Sequence, residues 1–239
     1  MAGGIKIGMN ARRRRGLTLL EVLFVLTALG VLAMLFLPRF GKNHTFESRI
    51  GCVNNLKNLG LAFRIWSTDH GDRFPMEVSQ RNGGTLELGY NRIVAEHPFV
   101  PVYASFRALS NELSTPLILV CPADTRRAAT NFAALRSNSN VSYFLGWGAA
   151  RATPAMMLAG DRNVTNNWGA TERLFPAELL AGADRSVGWA TNIHVNNGNV
   201  VLADGSVQQF NGPRLDAAMR SLAVVSNACL LFPVERSVP

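Results

Sequence analysis

The first strong pattern in the chain is an apolar run over 17–37, in which Glu21 is the only charge. Its 21 residues predict a helix of about 31 Å at about 1.5 Å rise per residue, matching a hydrocarbon core of about 30 Å. Pro38 closes the run, removes a backbone donor and is expected to kink the helix there. Beyond it the spacing changes. Phe46, Ile50, Val53, Leu56, Leu59, Phe63 and Trp66 recur every three or four residues, with Glu47, Arg49, Asn54, Asn55, Lys57 and Asn58 between them. That spacing predicts an amphipathic helix with one buried stripe. Joined, the halves 17–37 and 38–66 make one helix of about 75 Å, ended by His70-Gly71-Asp72 and Pro75.

Residues 67–239 form the expected head. From 74 to 114 Gly83-Gly84, Pro98 and Pro101 interrupt the pattern, and only 106–113 predicts a short helix. Strand-like runs follow at 117–120, 141–145, 156–159, 187–193, 199–203 and 207–210. Asp204-Gly205 joins the last two as a hairpin turn. A helix is expected over 213–225, with Pro213 at its start and Leu215, Met219 and Leu222 on one face. A long N-terminal helix packed on a small antiparallel sheet is an α+β fold.

The chemistry is concentrated at the start of the apolar run. Arg12 to Arg15 are followed by Gly16, then Leu17, with Glu21 five residues into the apolar segment. A carboxylate at mid-bilayer costs roughly 2.5–3.5 kcal/mol and marks a site with a specific partner. A secretory signal peptide could end at Ala28-Leu29-Gly30, but the apolar run continues past it and such a peptide has no use for Glu21. A plain membrane anchor accounts for the length and leaves Gly16 and Glu21 unexplained. The segment resembles the N-terminus of type IV prepilins and type II secretion pseudopilins. The resemblance implies a leader over 1–16, cleavage between Gly16 and Leu17, N-methylation of Leu17 and an assembly role for Glu21. Leu17 stands where that family most often has phenylalanine.

Charge then sets orientation. Lys6 and Arg12 to Arg15 precede the run without an acidic residue, which places the N-terminus in the cytoplasm and exports the head. Removing residues 1–16 takes away five positive charges and no negative ones, lowering the formal net charge from +8 to +3. The basic balance therefore belongs largely to the leader. Mixed signs in the head (Arg64, Asp69, Asp72, Arg73, Glu87, Arg92, Glu96) describe a solvated surface and no nucleic-acid partner is expected.

Near the C-terminus His194 is followed by nine residues and then Asp204-Gly205. With Cys52-Val53-Asn54-Asn55-Leu56-Lys57-Asn58-Leu59-Gly60-Leu61-Ala62 on the outer half of the helix and Cys121-Pro122-Ala123-Asp124 in mid-chain, this is similar to the H-X9-DG proteins, a large group of prepilin-like bacterial proteins. His194 and Asp204 are expected to meet as a structural clasp, Asp204-Gly205 forming the turn. With Asp161 they could instead hold a metal. The pseudopilin resemblance points to calcium on Asp161 or Asp204, and no other cofactor is expected. Three cysteines allow one bridge in an exported head. Cys52 with Cys121 would pin helix to sheet; the alternative is three buried thiols, favoured for Cys229.

No nucleophile triad, metalloprotease helix or phosphate loop is present in the sequence, so no enzymatic activity is expected. The resemblance implies a structural subunit of a bacterial pilus-like filament. A type II secretion pseudopilin is the first reading, a type IV pilus subunit the second, and a membrane-anchored enzyme or sensor the rival from another class. It further implies a single-pass inner-membrane protein that later joins a periplasmic or surface filament, homo- or hetero-polymeric. The implied partners are a prepilin peptidase, an assembly platform protein and a cytoplasmic ATPase.

Overall fold

Leu19–Phe36 forms helix α1 and His44–Asp69 helix α2 in a computed structural model, which describes residues 16, 18–36, 44–89, 100–150, 152–166, 178–180, 187–222 and 229–234. The chain divides into two units, 1–43 and 44–239. Within the first, α1 has 18 residues, about 27 Å, three fewer than the run read from the sequence. Leu17 and Leu37 at its ends lie outside the described residues, as does the junction 37–43 with Pro38 and the expected kink. Among the described residues no helix is long and apolar enough to cross a membrane. Leu19, Leu20, Phe24, Val31 and Met34 along α1 are all exposed.

In the second unit α2 buries one stripe, as its spacing requires; it keeps the expected Leu56, Leu59, Phe63 and Trp66 but begins at Cys52 in place of Ile50 and Val53. Cys52, Leu56, Leu59, Phe63 and Trp66 are buried, whereas Ile50 is 48% exposed and Val53 only half-buried. Intervals of four, three, four and three keep those five side chains on one face. Phe63 meets the rings of Phe74 and Phe106 edge-on, and the His70 ring stacks on Trp66 beyond the stripe. The helix runs three residues past the expected end, to Asp69, before Gly71 and Asp72 turn the chain at positive φ.

The strands are β1 (Tyr143–Trp147), β2 (Met157–Asp161), β3 (Val164–Asn166), β4 (Glu178–Leu180), β5 (Val187–Trp189), β6 (Asn197–Leu202), β7 (Val207–Asn211) and β8 (Cys229–Leu231). Six make one sheet in the order β4-β8-β1-β2-β6-β7, and β3 pairs with β5 separately; every pairing is antiparallel. Every residue of β1 and β2 is buried, so both faces of the sheet centre are covered. That is why these strands read as near-continuous apolar runs and not as alternation. Helix α2 packs on the sheet mainly at β6. The approach is close at Gly60, where a Cβ would come within 2.6 Å of Val201 Cγ2.

Several expectations change. The expected strand at 117–120 is a 3-10 turn, Pro116–Leu119, because Pro116 presets a helical φ and the Thr115 hydroxyl accepts the Leu117 N–H. The helix expected at 106–113 starts earlier, as α3 (Val102–Arg107), and continues as turns. The run 187–193 is strand only as far as Trp189 and then turns. Helix α4 (Gly212–Leu222) matches the expected one, with Leu215, Met219 and Leu222 buried, and 223–225 lie outside the described residues. Strands β3, β4 and β8 were not foreseen; at three residues each, they are too short to show a period.

Candidate functional site

Four elements each deliver one reactive side chain to the same buried point. Cys52 opens the stripe of α2. Cys121 follows the 3-10 turn, held there as Asn55 of α2 donates to the Val120 carbonyl at 3.1 Å. Asp161 is the last residue of β2, in register with Tyr143 of β1. His194 lies in the turn that leads into β6 and is one of three consecutive residues at positive φ, with Val195 and Asn196. Such a left-handed run of non-glycine residues is costly and needs support from its surroundings. Arg49 supplies part of it, donating to the His194 carbonyl at 2.8 Å. Asn163 supplies more, its amide reaching the carbonyls of Ala190, Ile193 and Asn197 at 3.0, 3.0 and 3.3 Å.

The four ligand atoms lie within 4.8 Å of one another, and all four residues are buried. The Cys52 thiol donates to Asp161 Oδ1 at 2.9 Å. Cys121 Sγ and His194 Nε2 are hydrogen-bonded at 3.2 Å, and Nε2 is 3.5 Å from Asp161 Oδ2. Asn199 fixes that second oxygen through its backbone N–H at 2.7 Å and its side-chain amide at 3.0 Å. The Ala123 N–H points at Cys121 Sγ from 3.4 Å. His194 Nδ1 is buried with no hydrogen-bond partner, so the ring is oriented through Nε2.

The titrations follow from this crowding. Burial raises the Cys52 thiol far above its ordinary range, with Cys121 and the Asp161 charge adding to it. The neighbouring Cys52 thiol, aided by His194, outweighs burial at Cys121 and lowers it to about 6. Burial raises Asp161 against the opposing pull of His194. At His194 burial alone would lower the imidazole, but Cys121 and Asp161 outweigh it and leave it above its ordinary value. The two neighbouring thiols are thus shifted in opposite directions, Cys52 up and Cys121 down.

The residues singled out in the sequence separate into two groups. Cys52, Cys121, Asp161 and His194 come together; Asp204 does not join them. Between His194 and Asp204 lies the whole of β6, six residues or about 20 Å. The expected clasp is therefore corrected: the partners of His194 are Cys121 and Asp161. Asp204 and Gly205 do form the hairpin turn, where the exposed Asp204 carboxylate accepts the Ser206 N–H at 2.8 Å and Gly205 sits at φ 86°. Arg64 of α2 donates to the Asp204 carbonyl.

The expected Cys52–Cys121 bridge is not formed. Both residues are thiols, one engaged by Asp161 and the other by His194. Sulfur and imidazole around Asp161 also make a soft donor set, whereas calcium takes six to eight oxygens. At the N-terminus Gly16 is exposed with open space around it, Glu21 sits in the first turn of α1, and Leu17 lies outside the described residues. Sequence reasoning missed Asn163, Arg49 and Asn199 as supports, and missed the pairing of Arg162 with Asp124. The signal available was the run Asp161-Arg162-Asn163, whose three polar side chains at the end of an apolar strand each find a separate buried partner.

A stretch of 68 residues is 35% identical to the type II secretion system core protein G of Pectobacterium carotovorum subsp. carotovorum, taking in 28% of this chain and 43% of that protein. The chain thus matches less than half the length of this curated relative. No family model matches the chain, and no solved structure does.

Proposed function

We propose that the protein is a structural subunit of a pilus-like filament, of the type II secretion pseudopilin kind. The observation that carries this reading is the similarity to a type II secretion core protein G. Gly16-Leu17 and Glu21 beside an apolar helix, and an α+β head built on α2 and an antiparallel sheet, are consistent with it. In this reading prepilin peptidase cuts after Gly16, and the exported head remains tethered through α1 and its flanking residues in the inner membrane. The exposed apolar side chains of α1 would lie first in lipid and then against neighbouring subunits in the filament core. Glu21 would pair with the free, methylated amino group of Leu17 on a neighbour, each group neutralising a charge costly to bury alone. An assembly platform protein and an ATPase would drive the transfer.

The role is structural, not enzymatic. A type IV pilus subunit is the nearest alternative and shares every step up to the destination of the filament. Intact-mass measurement of the mature protein tests the proposal: a chain starting at N-methyl-Leu17 is expected, and one that retains Met1 or starts near Val31 refutes it.

A further inference from the structure

We infer that Cys52, Cys121, Asp161 and His194 form a closed tetrahedral site for a zinc-class divalent ion, which locks α2 to the sheet. The inference is independent of the filament role and would hold for a head of any function.

Geometry is the first argument. A tetrahedron built with zinc–sulfur bonds of about 2.3 Å and zinc–nitrogen or zinc–oxygen bonds of about 2.0–2.1 Å has edges of roughly 3.3–3.8 Å. The observed contacts of 2.9 Å between Cys52 and Asp161 and 3.2 Å between Cys121 and His194, with all four ligand atoms within 4.8 Å, fall about that size. Small outward shifts of the Cys52–Asp161 and Cys121–His194 pairs would open the centre to an ion.

Donor type is the second. Two sulfurs, one imidazole nitrogen and one carboxylate oxygen form a borderline-soft set that selects zinc over calcium or magnesium. Four protein donors leave no open position, the mark of a structural and not a catalytic centre. The orientations are already in place. Asn199 holds Asp161 Oδ2 with two hydrogen bonds, which leaves Oδ1 turned to Cys52. Such outer contacts fix a ligating carboxylate. Arg49 and Asn163 hold the left-handed turn that presents His194. A cleft of about 280 Å³ lined by Arg49, Pro122, Ala123, Thr191 and His194 lies beside the site.

The balance is simple. As the ion enters, Cys52 and Cys121 bind as thiolates and any thiol proton leaves to solvent, as does any proton on His194 Nε2; no electron moves. Elements far apart in sequence are then joined at one point, where the cluster otherwise relies on hydrogen bonds.

The test uses the full chain in detergent, reduced, stripped of metal and then dialysed against zinc or cobalt(II). About one equivalent of zinc is expected to be retained, with the visible bands of tetrahedral cobalt and thiolate-to-cobalt charge transfer in the cobalt form. Cys52→Ser, Cys121→Ser and His194→Ala should each lose most of that zinc and alter or abolish the cobalt spectrum, while Cys229→Ser, in β8 outside the cluster, should keep both. The cobalt spectrum of the unaltered chain decides the matter even if a variant fails to fold. Absence of retained zinc together with absence of a thiolate–cobalt band overturns the inference. So does a band that survives both Cys52→Ser and Cys121→Ser, or a Cys52–Cys121 disulfide in peptides from the metal-free protein isolated from cells.

Discussion

Asp124 accepts two parallel hydrogen bonds from Arg162, Nε to Oδ2 at 2.7 Å and Nη2 to Oδ1 at 2.8 Å, with both side chains largely buried. The pair ties the segment after Cys121 to the residue after Asp161, so it sits directly behind the four-residue cluster. Burial by itself would raise Asp124, but the hydrogen bonds and charge of Arg162 outweigh it and hold the carboxyl below its ordinary value.

A depressed carboxyl stabilises the fold once its unfolded form is ionised, and that contribution is lost as pH falls through the folded value. The unfolded chain takes up the proton first, so stability should decline from about pH 4 downward. Asp124→Asn should remove this component and lower stability by about 3 kcal/mol at neutral pH, the scale for leaving one charge of a buried pair unmatched. Urea unfolding midpoints measured against pH for both proteins check this. Equal acid slopes in the two would show that the pair does not govern acid stability.

Gly60 faces Val201 at the closest approach of α2 to the sheet. Gly60→Ala should gain roughly 1 kcal/mol of helix propensity and lose about 1–3 kcal/mol to overpacking, for a net loss. Adding Val201→Ala should recover part of that loss, because the two side chains share one space. A double-mutant cycle read by thermal or chemical unfolding reports the coupling, and simple additivity would contradict it.

His194 and Asp204 stand at opposite ends of β6 and share no partner. His194→Ala should cost about 1–3 kcal/mol by orphaning buried polar groups. Asp204→Ala should cost less, about 0.5–1.5 kcal/mol for a turn hydrogen bond at an exposed position. The two losses should add within about 0.5 kcal/mol. Strong coupling between them would restore the clasp that the structure replaces.

Glu21→Leu removes the only charge between residues 17 and 37, so membrane insertion should be as good as before or better. Entry into filaments should nevertheless fail. Membrane fractionation combined with a shear assay for filaments separates the two effects, and normal assembly of the variant would show that Glu21 is only tolerated.

Local order was legible in the sequence wherever one residue period or one turn chemistry sufficed. The three-and-four spacing from Leu56 to Trp66 marks a helix with a buried face, and Asp204-Gly205 can close a hairpin without help from distant residues. The apolar run around Glu21 is likewise a property of the linear chain. Which residue opens the buried stripe of α2 was decided by the sheet: Ile50 and Cys52 are both apolar, and only docking against β2 and β6 selects Cys52 for the core. The sequence offers Cys52 with Cys121 and Asp161 with His194, but only the tertiary structure joins the two pairs into one site. Residues 52, 121, 161 and 194 have no common period, and the nine-residue spacing that draws His194 towards Asp204 on paper separates them in space, because those nine residues contain the six-residue strand β6. A strand carries its two ends apart by its length. Only the pairing of β2 beside β6, with α2 laid across them, brings His194 to Asp161 and to the two thiols.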